Sequence, residues 1–196
     1  LKAQEKAPYQ IQGTLSGLPK NQKGKLFLQR YGANFGLDSA RVEQGSFRFK
    51  GTTQGPEMAN LFYINAAGER SETLDFYLHK GTIAIKAKLG QLHEATISGS
   101  ALNSDAKSFD TAHKTVLDSI SALKSAYFKA EEILSQDSFR MDSPARVTIN
   151  EIDVDLNKWS AQLSMEQADH VAKNPNNALS LFKLQRLLKD TGNQQL

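Results

Sequence analysis

The sequence predicts an α+β chain: an antiparallel β-sandwich or open barrel of about eight strands, followed by a helical C-terminal section of about three helices. Three observations carry that expectation. From Tyr9 to Gly99 apolar residues alternate with polar ones in short runs, with glycine at nearly every turn. After Gly99 the apolar period lengthens to three or four residues. The 196 residues include no cysteine, so stability rests on a packed core, which a chain of this length can bury without staples.

The elements follow in order. Residues 1–8 read as a disordered N-terminus or a signal remnant, because "LKAQ" puts Leu1 and Ala3 where a signal-peptidase site would recognise them and makes Gln4 the mature start. Residues 9–99 read as an antiparallel β domain. In "YQIQGTLSG" Tyr9, Ile11, Gly13 and Leu15 share a face, and "KLFLQRY" follows a polar turn. "DSARVEQGSFRFKG" reads as a hairpin, with Ala40 and Val42 on one arm, Phe47 and Phe49 on the other, and Gln44-Gly45 at the tip. The Leu61 to Ile64 run turns at Gly68; Phe76 and Leu78 meet Ile83 and Ile85 across Lys80-Gly81; Ala95 and Ile97 end the series. Residues 100–196 read as a helical section leading to a missing downstream domain. Phe109, Val116, Leu123, Tyr127 and Leu134 lie on one amphipathic stripe, with Pro144 as the stop. Ile152, Leu156, Trp159 and Leu163 share a face of a second helix between Ile149 and Ala172, with Trp159 in its core, although Ile152, Val154 and Leu156 also alternate and leave an extended start open. Pro175 opens a third, which carries Leu179, Phe182, Leu187 and Leu188 and ends near Gly192.

Composition narrows the function classes. The chain is 39% hydrophobic and 23% charged, as in soluble globular domains. Its net charge is only +3, and the densest basic run, "KNQKGK" from Lys20 to Lys25, reads as a solvated turn. No contiguous basic stripe with interleaved aromatics is present, so no nucleic-acid partner is expected. No apolar run approaches the roughly 20 residues of a membrane span.

The segment "ISGSALNSD" is the place to look for chemistry. Ser98 and Ser100 flank Gly99 where strand gives way to helix, but a nucleophile elbow needs a second glycine. Of His79, His93, His113 and His170, none has a spacing that marks it as a catalytic partner. Ser100, Asn103 or Ser104 is therefore expected to cap the helix. The sequence has neither a P-loop nor a dinucleotide fingerprint, so no cofactor is expected. His79 and His93 can converge across strands, but no H-x-x-x-H occurs, and no metal site is expected. Glu151, Asp153 and Asp155 lack the glycine and terminal glutamate of a calcium loop and read as a solvated helix start. Tyr31, Phe35, Tyr63 and Tyr77 are candidates for a stacking patch on the sheet.

Taken in order, "YQIQGTLSGLPKNQKGKLFLQ", "DSARVEQGSFRFKG", "FYLHKGTIAI", "ISGSALN" and "HVAKNPNNALSLFKLQRLL" resemble an uncharacterised amino-terminal domain of Gram-negative cell-envelope proteins. That domain typically precedes a thioredoxin-like domain of the TlpA/ResA type. The resemblance implies an exported protein of the periplasm or envelope. It also implies a non-catalytic module that positions, dimerises or docks substrates for the thioredoxin-like domain of the same parent chain. The redox chemistry of such proteins belongs to a C-x-x-C in the downstream domain, so no catalytic residue carries over to this cysteine-free sequence. A homodimer through the helical half is a further expected partnership. Two rival readings remain: a stand-alone envelope module binding glycan or peptide through the sheet face, and a serine hydrolase using Ser98 or Ser100.

Overall fold

Eight strands form two four-stranded sheets in a computed structural model that describes residues 5–18, 24–31, 35–136 and 143–192. Leu1, Ala3 and Gln4, most of the run from Lys20 to Lys25, and the break at 137–142 lie outside the described residues. The chain divides into two compact units, Leu1–Asp105 and Ala106–Leu196.

In the first unit one sheet has the order β4-β1-β7-β8, from Ser46–Thr53, Ala7–Ser16, Gly81–Lys88 and Thr96–Ser98. The other has the order β3-β2-β5-β6, from Gly36–Arg41, Gly24–Arg30, Glu57–Asn65 and Leu74–Leu78. Alternation drives this layout. Ile11, Leu26, Leu28, Leu61, Leu78, Ile83 and Ile85 are wholly buried in one shared core, while their sequence neighbours point outward. The expected sandwich is therefore present, with one ladder, β1 with β7, running parallel.

Two local expectations are corrected. The turn at Gln44-Gly45 forms and Glu43 bridges Ser46, but the flanking strands are not a hairpin. β3 pairs with β2, whereas β4 crosses to the other sheet and pairs with β1. The cause is a better partner. Phe47 lies opposite Gly13, where an added Cβ would come within 2.6 Å of the Phe47 ring, so the glycine makes room for the aromatic. Likewise Phe76 and Leu78 meet Ile83 and Ile85 in the core, but β6 and β7 belong to different sheets.

Among the described residues the helical section has four helices: α1 Ala101–Ala112, α2 Lys114–Gln136, α3 Pro144–Lys173 and α4 Ala178–Gly192. The single expected stripe from Phe109 to Leu134 is split at His113. There the His113 ring Nδ1 lies 2.7 Å from the Phe109 carbonyl that its own backbone N–H also bonds, so one oxygen takes two partners at the junction. Pro144 begins α3 instead of only ending its predecessor, in the first-turn position where its missing N–H costs nothing. Pro175 lies in the turn before α4, and Asn177 Oδ1 accepts from Leu179 N at 2.8 Å to start that helix. In the second unit Ala130 and Leu134 of α2 pack on Ala145 and Ile149 of α3. Trp159 is not in that core; it is half-buried, with Lys158 Nζ 5.9 Å from its ring centre. Among the described residues no helix is long and apolar enough to cross a membrane.

Candidate functional site

The structure brings His79 to Ser100. Gly99 makes the seam possible: its φ is 79°, and a Cβ there would sit 2.6 Å from the Thr82 carbonyl oxygen. Ser100 Oγ accepts from Asn103 N at 3.1 Å and Asn103 Nδ2 at 2.7 Å, the expected N-cap of α1. It also lies 2.7 Å from His79 Nε2, while His79 Nδ1 lies 2.6 Å from the Lys80 carbonyl. That carbonyl can only accept, so Nδ1 carries the proton and Nε2 accepts from the serine hydroxyl. A serine and histidine in hydrogen bond resemble half of a triad, but Ser100 is only 5% exposed and its oxygen already accepts two N–H groups. Asn103 is engaged as well, bonding Tyr77 N and Tyr77 O at 2.8 Å each. The constellation fastens β6 to the first turn of α1. Ser98 is exposed on β8 and makes no such contacts.

A larger opportunity lies on the sheet. An open depression of about 1050 Å³ spans β3, β4, β1 and β7, at the upper end of ordinary ligand clefts. Arg41, Arg48 and Lys86 line it together with Gln12, Thr14 and Ser46. Alternation fixes their outward aim, because Arg48 sits between buried Phe47 and Phe49, and Lys86 between buried Ile85 and Ala87. Register extends the pattern. Lys50 pairs with Gln10, Arg48 with Gln12, Lys86 with Thr14 and Lys88 with Ser16. Four cations thus step diagonally across neutral β1 over six residues, about 20 Å at ~3.3 Å per residue. Among the described residues no carboxylate lies within ion-pair distance of any of them. Glu43 is the one acidic side chain lining the depression.

A second depression of about 730 Å³ shares Arg41 and Glu43 with the first and is lined by Lys25, Phe27 and Ile64. Phe27 stacks on Phe62 with ring centres 5.5 Å apart, and the Arg70 guanidinium covers Phe62 at 3.7 Å. Lys25 and Arg41 are directly opposite across the β2–β3 ladder, a like-charge pair that is destabilising without an anion nearby. Of the expected stacking patch, Tyr31 and Phe35 are exposed and meet edge to face at 6.2 Å. Tyr63 belongs to the core instead and Tyr77 is half-buried. Sequence reasoning did not single out Arg48 or Lys86, although each lies between buried apolar residues in an alternating strand.

The remaining candidates scatter. His93 is exposed beside Glu94, and Glu151, Asp153 and Asp155 are exposed in the body of α3, past its first turn. Among the described residues no three His, Asp or Glu side chains gather as metal ligands. In the second unit titratable side chains gather around Phe109. His113 stacks on Phe109 at 4.1 Å, His170 meets the same ring edge-on at 5.2 Å, and Lys183 Nζ lies 3.9 Å from its centre. Burial holds the Lys183 amine below the usual lysine value, with Asp110 partly opposing. Burial also raises Asp110, against Lys183 and His113.

No curated protein matches the chain. Among solved structures, one described as "Crystal Structure of Gram Negative Toxin" aligns with a TM-score of 0.23 at 11% identity, covering 47% of this chain and 23% of that one. A likeness that loose carries no functional information. Residues 9–106, half of the chain, match the family described as Domain of unknown function (DUF4369). They take in the sandwich except the first two residues of β1, with the seam and both depressions, and the chain belongs to that family.

Proposed function

We propose that this chain is a non-catalytic binding module of a Gram-negative cell envelope, exported to the periplasm. In this reading its β unit docks substrates for a thioredoxin-like domain of the same parent chain. The observation that supports binding over catalysis is the open, polar depression on the sheet, set against a Ser100–His79 pair occupied in capping. The link to a thioredoxin-like partner rests on the motif order and on the absence of cysteine. The gene's coding sequence past Leu196 tests it: an in-frame domain with a C-x-x-C supports the accessory role, and a stop codon removes it. The isolated chain should reduce no disulfide and take up no fluorophosphonate label; turnover or labelling at Ser100 would reverse the assignment.

The stand-alone glycan- or peptide-binding reading has its own support in the Phe27–Phe62 stack beside Lys25 and Arg41. Self-association through the helical unit is a further part of the proposal, since Leu181 and Leu184 are 61% and 42% exposed one turn apart on α4. Light scattering tests it, and a strict monomer at high concentration would remove it.

A further inference from the structure

We infer that the sheet-face depression binds an acidic polysaccharide, a linear chain of sugars bearing carboxylate or sulfate groups. The inference rests on the reading of the β unit as a docking module and names what docks there. Charge is the first argument. Arg41, Arg48 and Lys86 share one concavity whose lining includes a single carboxylate, Glu43; among the described residues none of the three has a carboxylate within ion-pair distance, and Lys50 and Lys88 extend the row. Cations left unpaired on one face attract a polyanion and raise its local concentration.

The chemistry between the cations selects the kind of polyanion. β1 presents Gln10, Gln12, Thr14 and Ser16 along the row, all amides or hydroxyls able to donate and accept. A sugar chain carries hydroxyls on every unit as well as its anions, so it can use both sets. An acidic peptide is a poorer fit. The depression's floor is β1 and β7, inside their sheet with backbone groups committed to the ladders, so a peptide can add as a strand only along the outer edge of β4 or β3 and not across the cationic row. Its apolar neighbours Phe47 and Ile85 are buried and leave no pocket for a side-chain anchor. The adjoining depression adds the partly exposed Phe27 ring, a surface on which a sugar's C–H face can stack, reached across the shared Arg41.

The full chain, immobilised at physiological salt, is tested against dextran sulfate and polygalacturonate, with neutral dextran, polyglutamate and duplex DNA as the other arms. Both acidic polysaccharides should bind, more weakly as salt rises, and neutral dextran should not. The triple variant Arg41→Glu/Arg48→Glu/Lys86→Glu should lose about tenfold or more in affinity. Lys107→Glu/Lys124→Glu/Lys129→Glu changes net charge equally at exposed helical positions and should bind like the parent. The milder Arg48→Gln/Lys86→Gln should fall between, and keeps the test valid if the triple variant misfolds. Equal losses in the two triple variants would overturn the inference, as would polyglutamate or DNA binding as tightly as the polysaccharides. Silence toward every polyanion would overturn it too while leaving the docking reading standing; thiol–disulfide turnover by the chain would instead sink that reading.

Discussion

Tyr63 shows how one atom can work against the fold that holds it. It faces the core from β5 at 2% exposure, and its hydroxyl is buried with no hydrogen-bond partner among the described residues. Gly24, on the neighbouring strand, leaves the space that the hydroxyl occupies. A buried donor left unsatisfied forfeits its hydration without return. Tyr63→Phe is therefore expected to be neutral or to stabilise by up to about 1 kcal/mol in urea unfolding at neutral pH. Alkali sharpens the test. Burial raises the phenol above its ordinary value, so in the unfolded chain it ionises near pH 10 while the folded form keeps its proton. The folded state then binds more protons, and stability falls as pH rises above about 10. The variant lacks that loss, so its advantage should widen from neutrality toward about pH 11. Tyr9, raised chiefly by burial and partly lowered by Arg30, leaves a residual alkaline slope in both proteins. A Tyr63→Phe protein less stable than the parent by more than about 1 kcal/mol would show that the hydroxyl has a partner after all.

At the scale of elements, the seam between β8 and α1 is a fastening built from a cap. Ser100→Ala removes the acceptor for Asn103 N and Asn103 Nδ2 and the donor to His79 Nε2, and should cost about 1–2 kcal/mol. Ser98→Ala, on an exposed strand position, should stay within about 0.5 kcal/mol. Equal effects at the two serines, read by denaturant midpoint, would mean that the cap carries no weight. The capping role of Ser100 was legible because Gly-Ser before an apolar helical stripe is a local signal. The involvement of His79 and Tyr77 was not, because they lie more than 20 residues away along the chain. The same division holds for the strands. Alternation marked each buried face, from Ile11 to Ile85, but pairing is non-local. The Gln44-Gly45 turn looks the same in sequence whether its arms pair with each other or, as here, part to separate sheets. The cationic row was missed for that reason: Arg48 and Lys86 are 38 positions apart and become neighbours of one surface only once β1 lies between β4 and β7.

For the β unit as a whole, the remaining question is what holds one sheet against the other besides apolar burial. Arg30 leaves β2 and pairs with Glu57 of β5, its Nε 2.9 Å from Glu57 Oε1, within its own sheet. The same guanidinium donates to the Thr52 carbonyl of β4 at 3.1 Å and lies 5.3 Å from the Tyr9 ring centre on β1, both in the opposite sheet. Arg30 is thus a polar clasp across the sandwich, with both charges mostly out of water at 13% and 7% exposure. Two consequences pull in opposite directions. Removing Arg30 alone leaves the Glu57 carboxylate buried and unpaired, and Arg30→Met should cost about 3–5 kcal/mol. Removing both charges avoids that penalty, so Arg30→Met/Glu57→Leu should recover most of the loss, because apolar side chains of similar volume often match a buried pair. The pair's value then lies in fixing how the two sheets face each other, through bonds that only one alignment can make. A double-mutant cycle by urea unfolding, with near-ultraviolet circular dichroism on each variant, separates stability from alignment. The expected result is a double variant near parental stability with a weakened aromatic signal from Tyr9 and its neighbours. Additive losses in the cycle would mean that Arg30 acts through Thr52 and Tyr9 alone, with Glu57 a bystander.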